Sequence, residues 1–153
     1  MNKILKIIIF TIFGFFYQFS HSFTFEEKIK IGLLVPLSGE NIKLGKQIVK
    51  ATKLALRDIN SDKIEIYPKD TGSDPNKTLR SAIELSEMGI SLVIGPVFYD
   101  NIIYLNEINN LTFLSLTNKT LDLPKNVISA GINSTSQLNT IKKFIKETNI
   151  NKT

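Results

Sequence analysis

The chain of 153 residues has no cysteine and one histidine, His21. Without cysteine there is no disulfide framework, no thiol nucleophile and no acylated cysteine to serve as a lipid anchor. His21 lies inside an N-terminal export signal described below, so the remaining chain has neither His nor Cys. Ser-His-Asp and Cys-His catalysis are therefore excluded within it, as are ordinary zinc sites. The acidic residues are mostly lone ones at helix starts and on polar faces, where solvation explains them. No catalytic residue, metal or cofactor is expected, and the chain does not read as an enzyme.

A one-sided charge is missing as well. Lys and Arg number 19 against 14 Asp and Glu, and the balance narrows to 17 against 14 once Lys3 and Lys6 leave with the signal. That excess is too mild to suggest nucleic acid. The lysines read as scattered, with no face that collects them among aromatics. Long apolar runs are nearly absent too. The longest, Ile7 to Phe16, is broken by Thr11 and Gly14, and a span needs about 20 residues. With Lys3 and Lys6 before it and Ser20-His21-Ser22 after it, this run has the pattern of a secretory signal peptide cut after Ser22. Residues 1–22 are read as signal and 28–153 as one domain, large enough for a real core. Membrane contact is expected only through the transient signal. Richness in Lys, Asn and Ile suggests an A+T-rich bacterial genome, hence a periplasmic location.

The stretch "PLSGENIKLGKQ", Pro36–Gln47, follows the apolar run Ile29–Val35 and contains Gly39, Gly45 and Lys46. A phosphate-binding loop needs four residues between its glycines and Ser or Thr after the lysine. Here there are five, and Gln47 stands in the hydroxyl position. The extra residue misaligns the backbone N–H groups that would cradle a phosphate. The glycines let the chain leave a strand and start a helix beside a cleft, or they are turn residues only.

Downstream, strand and helix patterns alternate. Strands are expected at Lys28–Val35, Lys63–Lys69 (ending near an edge at Pro68), Ser91–Ile94, "LTFLSLT" and "NVISAGI". Helices are expected at Lys43–Asn60, with Leu44, Ile48, Ala51, Ala55 and Ile59 inward, and from Asp74-Pro75 to about Met88, with Leu79, Ala82, Ile83 and Ser86 inward. Two more are expected, one opened by Pro96 and one over Gln137–Thr148 with Leu138, Ile141, Phe144 and Ile145 apolar. This alternation implies an α/β fold with a doubly wound parallel sheet. Ligands on such sheets bind at the carboxyl ends of strands, near a switch point. The loops "PLSGEN", "GPVFYD" and "SLTNKT" qualify.

The order of these pieces resembles type I periplasmic binding proteins of the leucine/isoleucine/valine-binding kind. The shared pattern is an apolar strand, Pro-Leu-Ser-Gly, a later Gly, and a helix closing on Ala-x-x-x-Ile-Asn, continued by Asp, Asp-Pro and Val-Ile-Gly-Pro. It covers about residues 29–148. "SLTNKTLDLPKNVISAGI" followed by "SQLNTIKKF" resembles the related penicillin-binding protein activators at least as well. The resemblance implies the first lobe of a two-lobed fold, so the chain is read as a truncated product that would expose an apolar helix face. It implies a solute-binding module of an ABC-type uptake system. The partners would be a small polar ligand such as an amino acid and an ABC permease. The other implied role is regulation of peptidoglycan synthesis through contact with a penicillin-binding protein. The residues it places at the ligand are Ser38, Gly39, Tyr99, Asp100, Ser115, Thr117 and Asn118. Asp100 departs from the small hydroxyl residues usual after Gly-Pro. It would repel a carboxylate and favour a cationic or neutral ligand, or it is an ordinary acidic residue at a helix start.

Overall fold

The computed structural model describes residues 28–148; the signal-peptide reading of residues 1–22 falls outside them. Five strands alternate with three helices. Strand β1 (Ile29–Val35) leads to helix α1 (Ile42–Ile59), β2 (Ile64–Asp70) to α2 (Pro75–Glu87), and β3 (Leu92–Ile94) to two 3-10 turns (Tyr99–Ile102 and Leu105–Glu107). Then come β4 (Thr112–Ser115), β5 (Val127–Ser129) and α3 (Ser134–Glu147). All pairings are parallel and the strand order is β2-β1-β3-β4-β5. The chain winds one way from β1 to β2 and the other way from β3 onward, so the switch point lies between β1 and β3. The expected doubly wound sheet is present, and Pro68 sits on its edge strand, where its missing N–H costs no ladder bond.

Leu34, Val93, Phe113 and Val127 pack with Ala82 and Leu85 of α2 and with Ile102, Leu105 and Leu111. Burying side chains such as Leu85 or Phe113 stabilises the fold by roughly 2–3 kcal/mol each. Gly32 allows this approach, since a Cβ there would lie 2.7 Å from Leu85 Cδ1. Asp74 caps α2 as expected, accepting from the Lys77 N–H at 2.7 Å with Pro75 in the first turn.

Three expectations change. In α1 the covered positions are Gly45, Ile48, Val49, Thr52 and Leu56, whereas Leu44, Ala51, Ala55 and Ile59 are exposed. Two overlapping stripes share Ile48, and close backbone approach decides between them. A Cβ on Gly45 would sit 1.8 Å from the Pro36 carbonyl oxygen, so the glycine must face β1. In α2, Thr78, Ser81, Ala82 and Leu85 are buried while Ile83 is exposed. Finally, no α-helix follows Pro96. The Pro96 carbonyl accepts from the Leu116 N–H and the Ser115 hydroxyl, both at 2.9 Å, which ties it to β4 instead of to a following helical turn. The Asn-Ile-Ile sequence, weak in helix propensity, settles into 3-10 turns.

The lysines are not scattered. Lys43, Lys46, Lys50, Lys53 and Arg57 form one exposed row along α1, visible in the sequence as intervals of three, four, three and four.

Candidate functional site

The loops at the carboxyl ends of the strands form two groups on either side of the switch point. The first joins the β1 and β2 loops through Asp70, the last residue of β2. One oxygen of its carboxylate accepts the N–H groups of Leu37 at 2.6 Å, Ser38 at 3.1 Å and Gly72 at 2.8 Å. The other meets Lys77 Nζ at 2.5 Å. Desolvation acts to raise the Asp70 pKa, but the hydrogen bonds from Lys77, Ser38, Gly72 and Leu37 outweigh it and hold the carboxyl well below its usual range. Lys77 also donates to Ser38 Oγ at 3.1 Å, and Asn41 Nδ2 donates to Ser73 Oγ at 3.0 Å. The β2 turn is left-handed at Gly72 (φ 55°) and Ser73 (φ 59°), which points the Gly72 N–H back at Asp70.

Ser38 is thus held by its own N–H and its hydroxyl. Gly39, beside it, is exposed and left-handed (φ 76°), with open space where a Cβ would stand except for the Gly72 carbonyl at 3.7 Å.

The second group joins the loops after β3, β4 and β5. Ser115 is fully buried; its hydroxyl donates to the Pro96 carbonyl and accepts the Thr117 N–H at 3.3 Å. Thr117 is buried, its Oγ1 accepting the Lys119 N–H at 3.2 Å. Its carbonyl accepts from Ser129 Oγ at 2.8 Å and from the Gly131 N–H at 3.1 Å. Asn118, at the tip, is exposed. Tyr99 is half-buried against the core, and Lys119 Nζ lies 3.5 Å from its ring centroid, a cation–π contact. Asp100 is exposed in the first 3-10 turn, so no long helix dipole acts on it.

Of the seven expected ligand residues, the structure groups Ser38 with Gly39. It groups Ser115, Thr117 and Asn118, with Tyr99 attached through Lys119. Tyr99 also borders a cavity of about 410 Å³ between the 3-10 segment and the β4–β5 connection, walled by Ile102, Ile103, Leu123 and Pro124 with Asn106 and Asp122. Among the described residues no cluster of His, Cys, Asp or Glu could hold a metal ion.

Sequence reasoning passed over Asp70 and Lys77. The available signal was an aspartate ending a strand just before Thr-Gly, where its side chain can reach the neighbouring loop.

The sequence matches the family described as periplasmic binding protein over residues 28–152. An uncharacterized protein of Methanocaldococcus jannaschii is 34% identical over 80 residues, which cover 47% of this chain and 19% of that protein. The fold is similar to full-length LpoA of Haemophilus influenzae, with TM-score 0.62 and 20% identity over 81% of this chain and 23% of that one. It is equally similar to the leucine-binding protein LivK of Thermotoga maritima, with TM-score 0.61 and 16% identity over 76% of this chain and 36% of that one. The chain therefore spans about a fifth to a third of the length of these relatives. It belongs to the periplasmic binding protein family.

Proposed function

We propose, from this family membership, that the chain supplies one ligand-facing lobe of a solute-binding protein in an ABC-type uptake system of the periplasm. The supporting observation is the pair of ordered loop groups flanking the β1/β3 switch point, where α/β sheets bind ligands. Gly39 offers a backbone N–H that no side chain shields, and Asn118 offers an exposed amide. Tyr99 provides an aromatic wall. The buried hydroxyls of Ser115 and Thr117 shape the second loop, and Ser38 is positioned by Asp70. With Asp100 exposed beside them, the site favours a cationic or neutral amino acid over a bare carboxylate.

A ligand held between two lobes gains contacts from both. Loss of about 6 kcal/mol with one side turns micromolar binding into roughly tens of millimolar. The experiment is therefore a nuclear magnetic resonance titration of the chain with lysine and leucine up to tens of millimolar. Shifts are expected at the amides of Ser38, Gly39, Asn118 and Lys119, larger for lysine than for leucine, with Asp100→Ser reversing that order. Shifts elsewhere with these four amides silent would overturn the site assignment.

A second reading has its own supporting observation. The hydroxyls of Ser38, Ser115 and Thr117 are already engaged within the chain, which leaves few side-chain groups for a small ligand. The C-domain of Haemophilus influenzae LpoA is a regulator of PBP1A. In this reading the lobe surface would contact a penicillin-binding protein. Micromolar capture of a purified penicillin-binding protein, with no amino-acid response at the four amides, would favour it.

A further inference from the structure

Helix α1 carries a surface that neither reading uses. Lys43, Lys46, Lys50, Lys53 and Arg57 fall on one line, all exposed. At 1.5 Å per residue the row is about 21 Å long. Arg57 reaches Asp58 at 3.8 Å, and none of the four lysines has an ion-pair partner among the described residues. Some cations elsewhere are paired, Lys28 with Glu65, Lys69 with Glu84, Lys77 with Asp70 and Lys143 with Glu147, and those that are not, such as Lys30, Lys125 and Lys142, do not line up in one row on a helix. A face built only for hydration mixes signs, because like charges three and four residues apart weaken a helix. Like charges repel along this row, and among the described residues the exposed Arg57–Asp58 pair is its one ion pair. Leu54 stands exposed on the flank of the row, while the exposed Leu44 and Ile59 lie about 150° round the helix from it.

We propose that the basic face of α1 is a docking surface for an anionic phospholipid membrane. Four of the five cations are lysines, flexible point charges suited to a diffuse layer of headgroups; recognition of fixed protein carboxylates favours the planar fork of arginine. The face has no aromatic side chain on which a base could stack. Leu54, exposed about 70° round the helix from the row, can rest at the headgroup boundary while the row lies along the surface. No helix among the described residues is long and apolar enough to cross a membrane, so the contact is peripheral, electrostatic and weakened by salt.

The test measures partition of the full chain onto phosphatidylcholine vesicles and onto vesicles half phosphatidylglycerol. Residues 1–27 are identical in every variant, so any contact they make is common to all of them and cancels when each variant's ratio is compared with that of the wild type. The wild type should prefer the anionic vesicles by at least about tenfold in low salt, and the preference should vanish near 0.5 M salt. Lys46→Gln/Lys50→Gln/Lys53→Gln should reduce the ratio to near unity, and the corresponding three Arg substitutions should keep it. Lys30→Gln/Lys125→Gln/Lys142→Gln removes the same net charge elsewhere and should keep most of it. Circular dichroism checks that each variant is folded. Equal losses in the two Gln triples would overturn the proposal by making net charge the cause. So would a wild type without preference, or an α1 triple that keeps it. Binding of polyglutamate through α1 without vesicle binding would also overturn it, in favour of an acidic protein partner.

Discussion

The two sides of the switch point are built differently. On one side β1 and β2 are seven residues long, fully paired, and joined at their ends by a carboxylate with four donors. On the other side β3, β4 and β5 have three or four residues each, and the segment between β3 and β4 is a pair of 3-10 turns beside an open cavity. Asn101 in that segment is 1% exposed, and neither its amide nitrogen nor its oxygen has a protein partner. The first side has its polar groups satisfied and its backbones in contact. The second has a desolvated amide without compensation. The two sides of the switch point therefore differ in how fully their polar groups are satisfied.

Substitutions on the two sides should have opposite signs. The largest effect is expected for Gly45→Ala, whose new methyl would meet the Pro36 carbonyl, a backbone group that cannot swing away. It should lower the unfolding free energy by about 3 kcal/mol in urea denaturation. A loss within a few tenths would show that α1 does not rest on β1 as described. Next, Asp70→Asn should cost about 2 kcal/mol, since hydrogen bonds to a charged acceptor are replaced by neutral ones. Hydrogen exchange should quicken at Leu37 and Ser38 and stay unchanged at Thr117 and Gly131.

The same carboxylate predicts an acid effect. Its folded pKa lies below the 3.8 of an unperturbed Asp, so the unfolded chain binds the proton more readily. The stabilisation is fully present above about pH 4 and fades as pH falls below that value. Asp70→Asn should flatten this part of the stability–pH curve, and an identical acid limb in the variant would rule the clamp out as its source. The smallest effect should go the other way. Asn101→Ala removes a buried amide with no partner and should be neutral or stabilising by up to about 1 kcal/mol. A clear destabilisation would mean that Asn101 is satisfied and that the contrast between the two sides is weaker than drawn.

Much of this architecture is legible from residue order. The run Ile29–Val35, the alternation in "KIEIYPK", and Asp74-Pro75 as a helix start signal their elements through period, length and capping chemistry. What periodicity misses is contact with other parts of the chain. Leu44, Ala51 and Ala55 satisfy a helical stripe, yet the inward face is set by the only residue without a side chain, Gly45. Pro96 looks like a helix opener until its carbonyl is captured by β4, more than a dozen residues away. For the candidate site, Gly39 and the "SLTNKT" loop fall where a strand-end argument puts them. Asp70 escaped notice because two of its three amide partners, Leu37 and Ser38, are brought to it only when β1 and β2 lie side by side. The basic row was open to inspection as a spacing and was overlooked because lysines were weighed by number and not by phase.

Asp70 closes a strand at the rim of the sheet yet fastens a loop that leaves the strand beside it. If β2 slid by two residues against β1, the place of the carboxylate would fall to Pro68 or Gly72, and neither can accept a hydrogen bond through its side chain. The amides of Leu37 and Ser38 would then lose their acceptor in the same event. The carboxylate thus acts as a registration pin, and a misaligned sheet cannot carry a correctly set loop. An error of pairing in the sheet would show itself at the rim, in the loop that follows β1.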